Sequence, residues 1–252
     1  MPTPVMHLDL AHTILHDSDL SVAVRRTLRS QRGAFYLGNT APDVQTVSGQ
    51  ARDGTHFYSV PRTSTRPAYE ALFDAYPGLA HPWDLPPGQA TFIAGYIAHL
   101  EVDEVWLDEV FIPHFVEQDW GTRHERLFTH NVLRTWMDRE AYARLNSDVV
   151  EALREAEPQG WLPFAEDEHV RMWRDWLVEQ LEPGNALQTA EVFAERMGVT
   201  AIELESIITS SEQMQKQIFR HVSRGVLESF EAISYRRSVD LIGSYFAGRL
   251  SG

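Results

Sequence analysis

No cysteine occurs in these 252 residues. Disulfides, thiolate zinc fingers and a cysteine nucleophile are thereby excluded together, so any metal must be held by histidine and carboxylate. Lysine is nearly absent as well: Lys216 is the only one, and the other basic residues are arginine. Acidic residues outnumber basic ones by 36 to 22, giving a formal charge of -14. That balance argues against wrapping a long nucleic acid, because such binding rests on basic side chains that release phosphate counterions. No apolar stretch nears the roughly twenty residues that a membrane span needs, so no transmembrane segment is expected. The start, MPTPVMHLDLAHTILHD, has no basic segment leading into an apolar core and a cleavage site, which makes a soluble, cytoplasmic protein the expectation. Sustained period-two alternation and hairpin dipeptides between apolar runs are missing too, so a sheet is not expected.

What remains is helical pattern. With 43% hydrophobic and 11% aromatic residues the chain can bury a sizeable core. The expectation is an all-α multi-helix bundle forming one domain over 1–252, with a metal-bearing half at 1–156 and a helical scaffold at 157–252. Helical spacing runs from Met6 to His16, and Asp19 or Ser21 is placed to cap a second helix through Leu28. Gly33 to Val44 should end a helix and deliver Asp43 on a turn. Ala51 to Ser64 reads as loop, and Pro67 to Tyr76 as a short helix. Beyond Pro113, helices are expected at Thr122 to Asp138, Arg139 to Ala156 and Glu166 to Leu181. Pro183-Gly184 is the sharpest break, followed by Gln188 to Met197, Ala201 to Val222 and Gly225 to Arg249. The stretches Gly49 to Thr65 and His81 to Gly88 are natural loops for choosing a substrate.

The chain is organised around Thr91 to Phe111, TFIAGYIAHLEVDEVWLDEVF. His99 and Asp103 stand four residues apart, on one face of a helix, which is how two ligands reach one metal. Ala94, Gly95 and Ala98 leave room for a neighbouring segment, and Glu101, Glu104 and Asp108 add negative charge. The plain alternative is a core histidine hydrogen-bonded to a carboxylate.

Seven of the eleven histidines fall within the first 115 residues. In order, His7, Asp43, His56, His99 and Asp103 form a series of nitrogen and oxygen donors suited to zinc or a similar borderline cation. An early His-Leu (His7-Leu8), then FYLGNTAPDV, then HFY, then GYIAHLEVDEVW resembles the zinc-dependent phospholipase C superfamily, which includes single-strand-specific nucleases. The likeness covers about the first 110 residues and is most specific in LGxxxPD paired with GYxxHxxxDxxW. It implies that Asp43 touches metal and is a candidate general base. It also implies that His7, His56, His99 and Asp103 are ligands, with Asp103 the bridge if two ions are held. Secreted members use the amine of an N-terminal tryptophan as a ligand, where this chain has Met1-Pro2. Members also carry a later HxxxE for another ion. Here that region offers Glu109, His114, His124 and His130, but His130 is followed four residues on by Arg134, so one or two zinc ions is the economical reading. The activity implied is hydrolysis of a small phosphodiester or a phospholipid headgroup. The alternative is a helical binding or interaction protein on a degenerate scaffold of the same type.

Other motifs compete weakly. His16-Asp17 matches the dipeptide of HD-domain phosphohydrolases, and His12 and His16 share a helix face. Glu166 to His169 is a single ExxH, where carboxylate-bridged diiron bundles need two. Trp161, Trp173 and Trp176 are expected in the core rather than in a lipid-facing patch.

Overall fold

The computed structural model describes residues 1–16, 19–182, 191, 194 and 198–250, and among them every regular element is a helix. The first three are α1 (Pro4–Ile14), α2 (Val22–Ser30) and α3 (Arg32–Gly38). Two single-turn helices follow, α4 (Gln45–Ser48) and α5 (Asp53–His56), and then α6 (Ala68–Ala75). The long central helix α7 (Pro87–Trp106) is buried along nearly its whole length, as its apolar sequence requires. Next come α8 (Arg123–Arg144), α9 (Ser147–Arg154) and α10 (Asp167–Leu181). The described chain ends with α11 (Ala201–Thr209), α12 (Ser211–Met214) and α13 (Arg224–Phe246). The Pro183-Gly184 break, Asp17 of the HD dipeptide and most of the helix expected at 188–197 lie outside the described residues. No helix among the described residues is long and apolar enough to cross a membrane.

Two apolar clusters form the core, and α7 threads both. Residues Ala90 to Leu100 belong to the first, while Val102, Val105 and Trp106 belong to the second with residues of α8, α11 and the start of α13. The helix α13 also spans both, through Leu227 and Phe230 at one end and Ile242 and Tyr245 at the other.

Four boundaries differ from the sequence expectation, each for a local reason. The central run does not stop ahead of Pro113, because the chain widens into a π-helix over Leu107–Val116 that takes the proline inside it. A proline within an ordinary α-helix lacks its N–H and clashes with the preceding turn, and a π-bulge is one way to absorb that. Arg123–Arg144 is one helix rather than two, since nothing in MDREAYAR breaks it; the break falls at Asn146, whose side chain accepts from the Asp148 amide at 3.2 Å. The expected helix Ala201 to Val222 is divided at Ser210, whose hydroxyl accepts from Gln213 at 3.2 Å and starts a new turn. The stretch Ala51 to Ser64 is not all loop, for α5 lies within it and His56 is buried at its end.

Candidate metal centre

The approach of α3 to α7 sets the site. A Cβ on Gly95 would lie 2.4 Å from the Phe35 carbonyl oxygen and 2.8 Å from the Asn39 nitrogen, and one on Gly38 would lie 2.0 Å from the Phe92 oxygen. Only glycine lets the two backbones touch this closely. The contact brings the Asn39 carbonyl to His99, whose Nδ1 donates to it at 2.8 Å. The proton is therefore on Nδ1, and the Nε2 lone pair is free to bind.

The other donors arrive on short elements. Thr3 caps α1, accepting from the Met6 amide at 3.4 Å, and its hydroxyl donates to Asp138 on α8, which pins the helix that carries His7. Asp43 sits in a 3-10 turn, Ala41–Val44, with Pro42 near its start. His56 ends α5, where Phe57 takes φ 60 and is the one non-glycine residue with positive φ among those described. That unfavoured conformation lies between His56 and Tyr58, both of which reach Asp103 Oδ2. The Nδ1 of His56 lies 3.1 Å from the Thr55 hydroxyl, which itself donates to the Arg52 carbonyl. The Nε2 of His56 faces Asp43 and Asp103.

All five residues singled out in the sequence meet in one place. His7 Nε2 is 3.5 Å from Asp103 Oδ1, and His56 Nε2 is 3.5 Å from both Asp103 Oδ2 and Asp43 Oδ1. His99 Nε2 is 3.7 Å from Asp103 Oδ2. These separations are long for hydrogen bonds. Donors held about 2.0–2.1 Å from a tetrahedral ion lie about 3.3–3.4 Å from one another, close to the spacings seen. His7, His99 and Asp103 form one group able to hold an ion, and Asp43, His56 and His99 another. Both nitrogens of His7, Nε2 of His99 and Oδ1 of Asp103 are buried without a hydrogen-bond partner. Buried polar atoms are normally paired, so four orphans in one cluster mark a place built for something else.

The electrostatics agree with ligand duty. Burial, then the neighbouring His7 ring, pushes His99 down to about 3, so it is neutral at pH 7. The rings of His7 and His99 stack at 3.8 Å, a contact that two imidazolium ions would not tolerate. Burial acts to raise Asp103, yet the carboxyl is held well below the usual range, with the Arg52 guanidinium 2.9 Å from it. Asp43 is raised by burial and lowered further by its contact with His56, so it too is ionised. Its side chain is 23% exposed, whereas those of His7, His56, His99 and Asp103 are at 1% or less. The cluster is thus buried, with Asp43 its most exposed member.

Arg52 and Tyr58 complete the wall. The Nη2 of Arg52 donates to Asp103 Oδ2 at 2.9 Å and to the Tyr58 hydroxyl at 2.7 Å, and that hydroxyl donates to Asp103 Oδ2 at 3.0 Å. Sequence reasoning did not select Arg52. Its only local signal is the four-residue spacing to His56, one turn of helix, in a chain rich in arginine. The other stretch expected at the mouth, His81 to Gly88, makes its contacts elsewhere: the indole of Trp83 donates to the Phe246 carbonyl, and Gly88 lies against Trp161.

The remaining candidates fall outside the cluster. His130 is buried against Trp106, Phe111 and Phe115, and its Nε2 accepts from the Trp106 indole at 3.1 Å, which uses the lone pair a metal would need. Among the described residues Glu109, His114, His124 and Glu166 with His169 join no group able to hold an ion. His12 bonds to the Tyr36 hydroxyl at 2.9 Å and His16 to the backbone of His12. Trp161 and Trp173 are core residues as expected, whereas Trp176, expected with them, is exposed and stacks on Trp173 at 5.0 Å. In comparisons with known proteins, no family model, no curated protein and no solved structure matches this chain.

Proposed function

We propose that this chain is a metal-dependent phosphodiester hydrolase of the zinc-dependent phospholipase C type, acting on a small phosphodiester or a phospholipid headgroup. The observation that carries the reading is the convergence of His7, His56, His99, Asp43 and Asp103 at 3.5 to 3.7 Å with buried, unpartnered donor atoms among them. A zinc ion held there supplies Lewis acidity toward a phosphoryl oxygen and brings the pKa of a bound water to about 7. The protein does the rest. The Asn39 carbonyl fixes the tautomer of His99, so its Nε2 presents a lone pair without rearrangement, and Thr55 holds the His56 ring in place. Asp103 is buried and balances charge, and Asp43, ionised and more exposed, is placed to accept a proton from an incoming water. A cluster exposed only at Asp43 suits a small ester, and the charge of -14 disfavours a long polyanion.

One observation favours the second reading, a binding protein on a degenerate scaffold of this type: the Arg52 guanidinium already gives Asp103 a cation. Metal content separates the two. Protein loaded with zinc and freed of excess is expected to retain the ion, and His99→Ala and Asp103→Asn to lose it. The same variants should lower hydrolysis of a chromogenic phosphodiester by more than about a hundredfold, beyond the loss typical of an outer-shell change. His81→Ala and His221→Ala should do neither. Wild-type protein that retains no more zinc than His99→Ala would overturn the hydrolase reading.

A further inference from the structure

Asp103 presents its two oxygens to different neighbours. Oδ1 lies 3.5 Å from His7 Nε2 and has no hydrogen-bond partner, whereas Oδ2 faces His56 Nε2 at 3.5 Å and His99 Nε2 at 3.7 Å. Oδ2 is also the oxygen already engaged, for Arg52 Nη2 donates to it at 2.9 Å and the Tyr58 hydroxyl at 3.0 Å. A carboxylate has about two acceptor sites on each oxygen, so these two donors fill Oδ2. An ion seated between His56 and His99 takes that oxygen only by displacing one of them.

Of the two donors only Arg52 is charged, and a guanidinium keeps its proton at any ordinary pH. The Asp103 side chain that it faces is 1% exposed, so little water screens it from an ion on the same carboxylate. The two cations repel, and by linkage each weakens the hold of the other. The guanidinium also has somewhere to go. Its side chain is 28% exposed, and its other contacts among the described residues are the Tyr58 hydroxyl at 2.7 Å and the Tyr58 ring at 4.6 Å. The Arg52 backbone is fixed separately, since its carbonyl accepts from the His56 amide at 2.8 Å. The side chain can therefore turn toward solvent while the turn that carries His56 stays in place.

Resting on the metal reading above, we propose that Arg52 is a built-in competitor for the metal centre: it holds Asp103 Oδ2 against an incoming dication, and full ligation of the ion requires the guanidinium to leave that oxygen. Arg52 thereby regulates how strongly the centre holds its metal. An arginine that served only to orient Asp103 would act with the opposite sign, because removing such an outer-shell partner typically costs about tenfold to a hundredfold in metal affinity.

The test is the zinc dissociation constant of the full chain, measured by competition with a chromogenic chelator. Arg52→Gln drops the charge but keeps an N–H donor for Oδ2, which guards against a misfolded alanine variant. Both Arg52→Gln and Arg52→Ala should bind zinc at least about tenfold more tightly than wild type, since the ion no longer faces a fixed positive charge across one carboxylate. Arg52→Lys, which keeps the charge, should stay closer to wild type. Zinc affinity in Arg52→Gln that is unchanged or weaker, or a gain of the same size in Arg52→Lys, would overturn the proposal and leave the metal reading standing. Zinc retained by neither wild type nor Arg52→Gln would remove both.

Discussion

His99 is held neutral in the folded chain at a pH where the unfolded chain takes up a proton, and this makes stability depend on acidity. Its folded pKa of about 3 lies below the ordinary 6.5, so its contribution is complete above pH 6.5 and is lost as pH falls toward 3. His130, pushed well below its usual value by burial, acts in the same direction, and its bond from the Trp106 indole needs the neutral ring. Metal-free protein should therefore lose stability as pH falls below 6.5, by about 1 kcal/mol per pH unit for each ring that is kept neutral. Urea midpoints at pH 7 and pH 5 measure it, and His99→Gln should flatten the slope. A midpoint that does not move between those pH values would mean that neither ring is kept neutral. At this scale much was legible: five donors stood in the sequence in the order in which the structure gathers them. Arg52 was not, because one arginine among many gains meaning only from the carboxylate it faces, and Asp103 lies 51 residues away.

Helix contacts convert those residues into a site, and the glycines at the α3–α7 contact carry the conversion. Gly95→Ala would drive a Cβ into the Phe35 carbonyl and the Asn39 amide, backbone atoms that cannot swing aside. The expected cost is about 1–3 kcal/mol, as for other overpacked cores. Moving α3 also withdraws the Asn39 carbonyl from His99, so zinc affinity should fall along with the thermal midpoint. Equal zinc affinity in a destabilised Gly95→Ala would show that the carbonyl is not needed to orient the ring. The pin at α1 makes a parallel case: Asp138→Ala removes the acceptor of the Thr3 hydroxyl and should cost about 1–2 kcal/mol with weaker zinc binding, since His7 lies one turn from Thr3. The helices themselves were readable from periodicity and caps, and Ser21, Thr122 and Ser223 cap where short polar residues precede apolar runs. The π-helix through Pro113 was not readable. A proline breaks an isolated helix, and only packing against α8 and α13 holds the widened turn in place.

Over the whole molecule, α7 and α13 run through both apolar clusters, so loss of either helix exposes both. Denaturant unfolding followed by far-ultraviolet circular dichroism and by tryptophan fluorescence should give coincident transitions, because Trp106 reports on one cluster and Trp173 on the other. Two separated transitions would contradict that coupling. Zinc at a hundred times its dissociation constant should raise stability by about 2.7 kcal/mol, the linkage expected of a ligand that binds only the folded chain. The sequence by itself determined the class of fold and the chemistry open to it. Helical periodicity excludes a sheet, and a chain with no cysteine leaves histidine and carboxylate as the metal donors. It also determined the pairing of His99 with Asp103, since spacing along one helix is local geometry. Only the tertiary structure decided which buried histidine nitrogens keep a free lone pair and which have spent it. His99 Nε2 is free because Asn39 takes the other nitrogen, and His130 Nε2 is spent on Trp106. Both facts arise from contacts between segments far apart in the chain, where no local pattern records them.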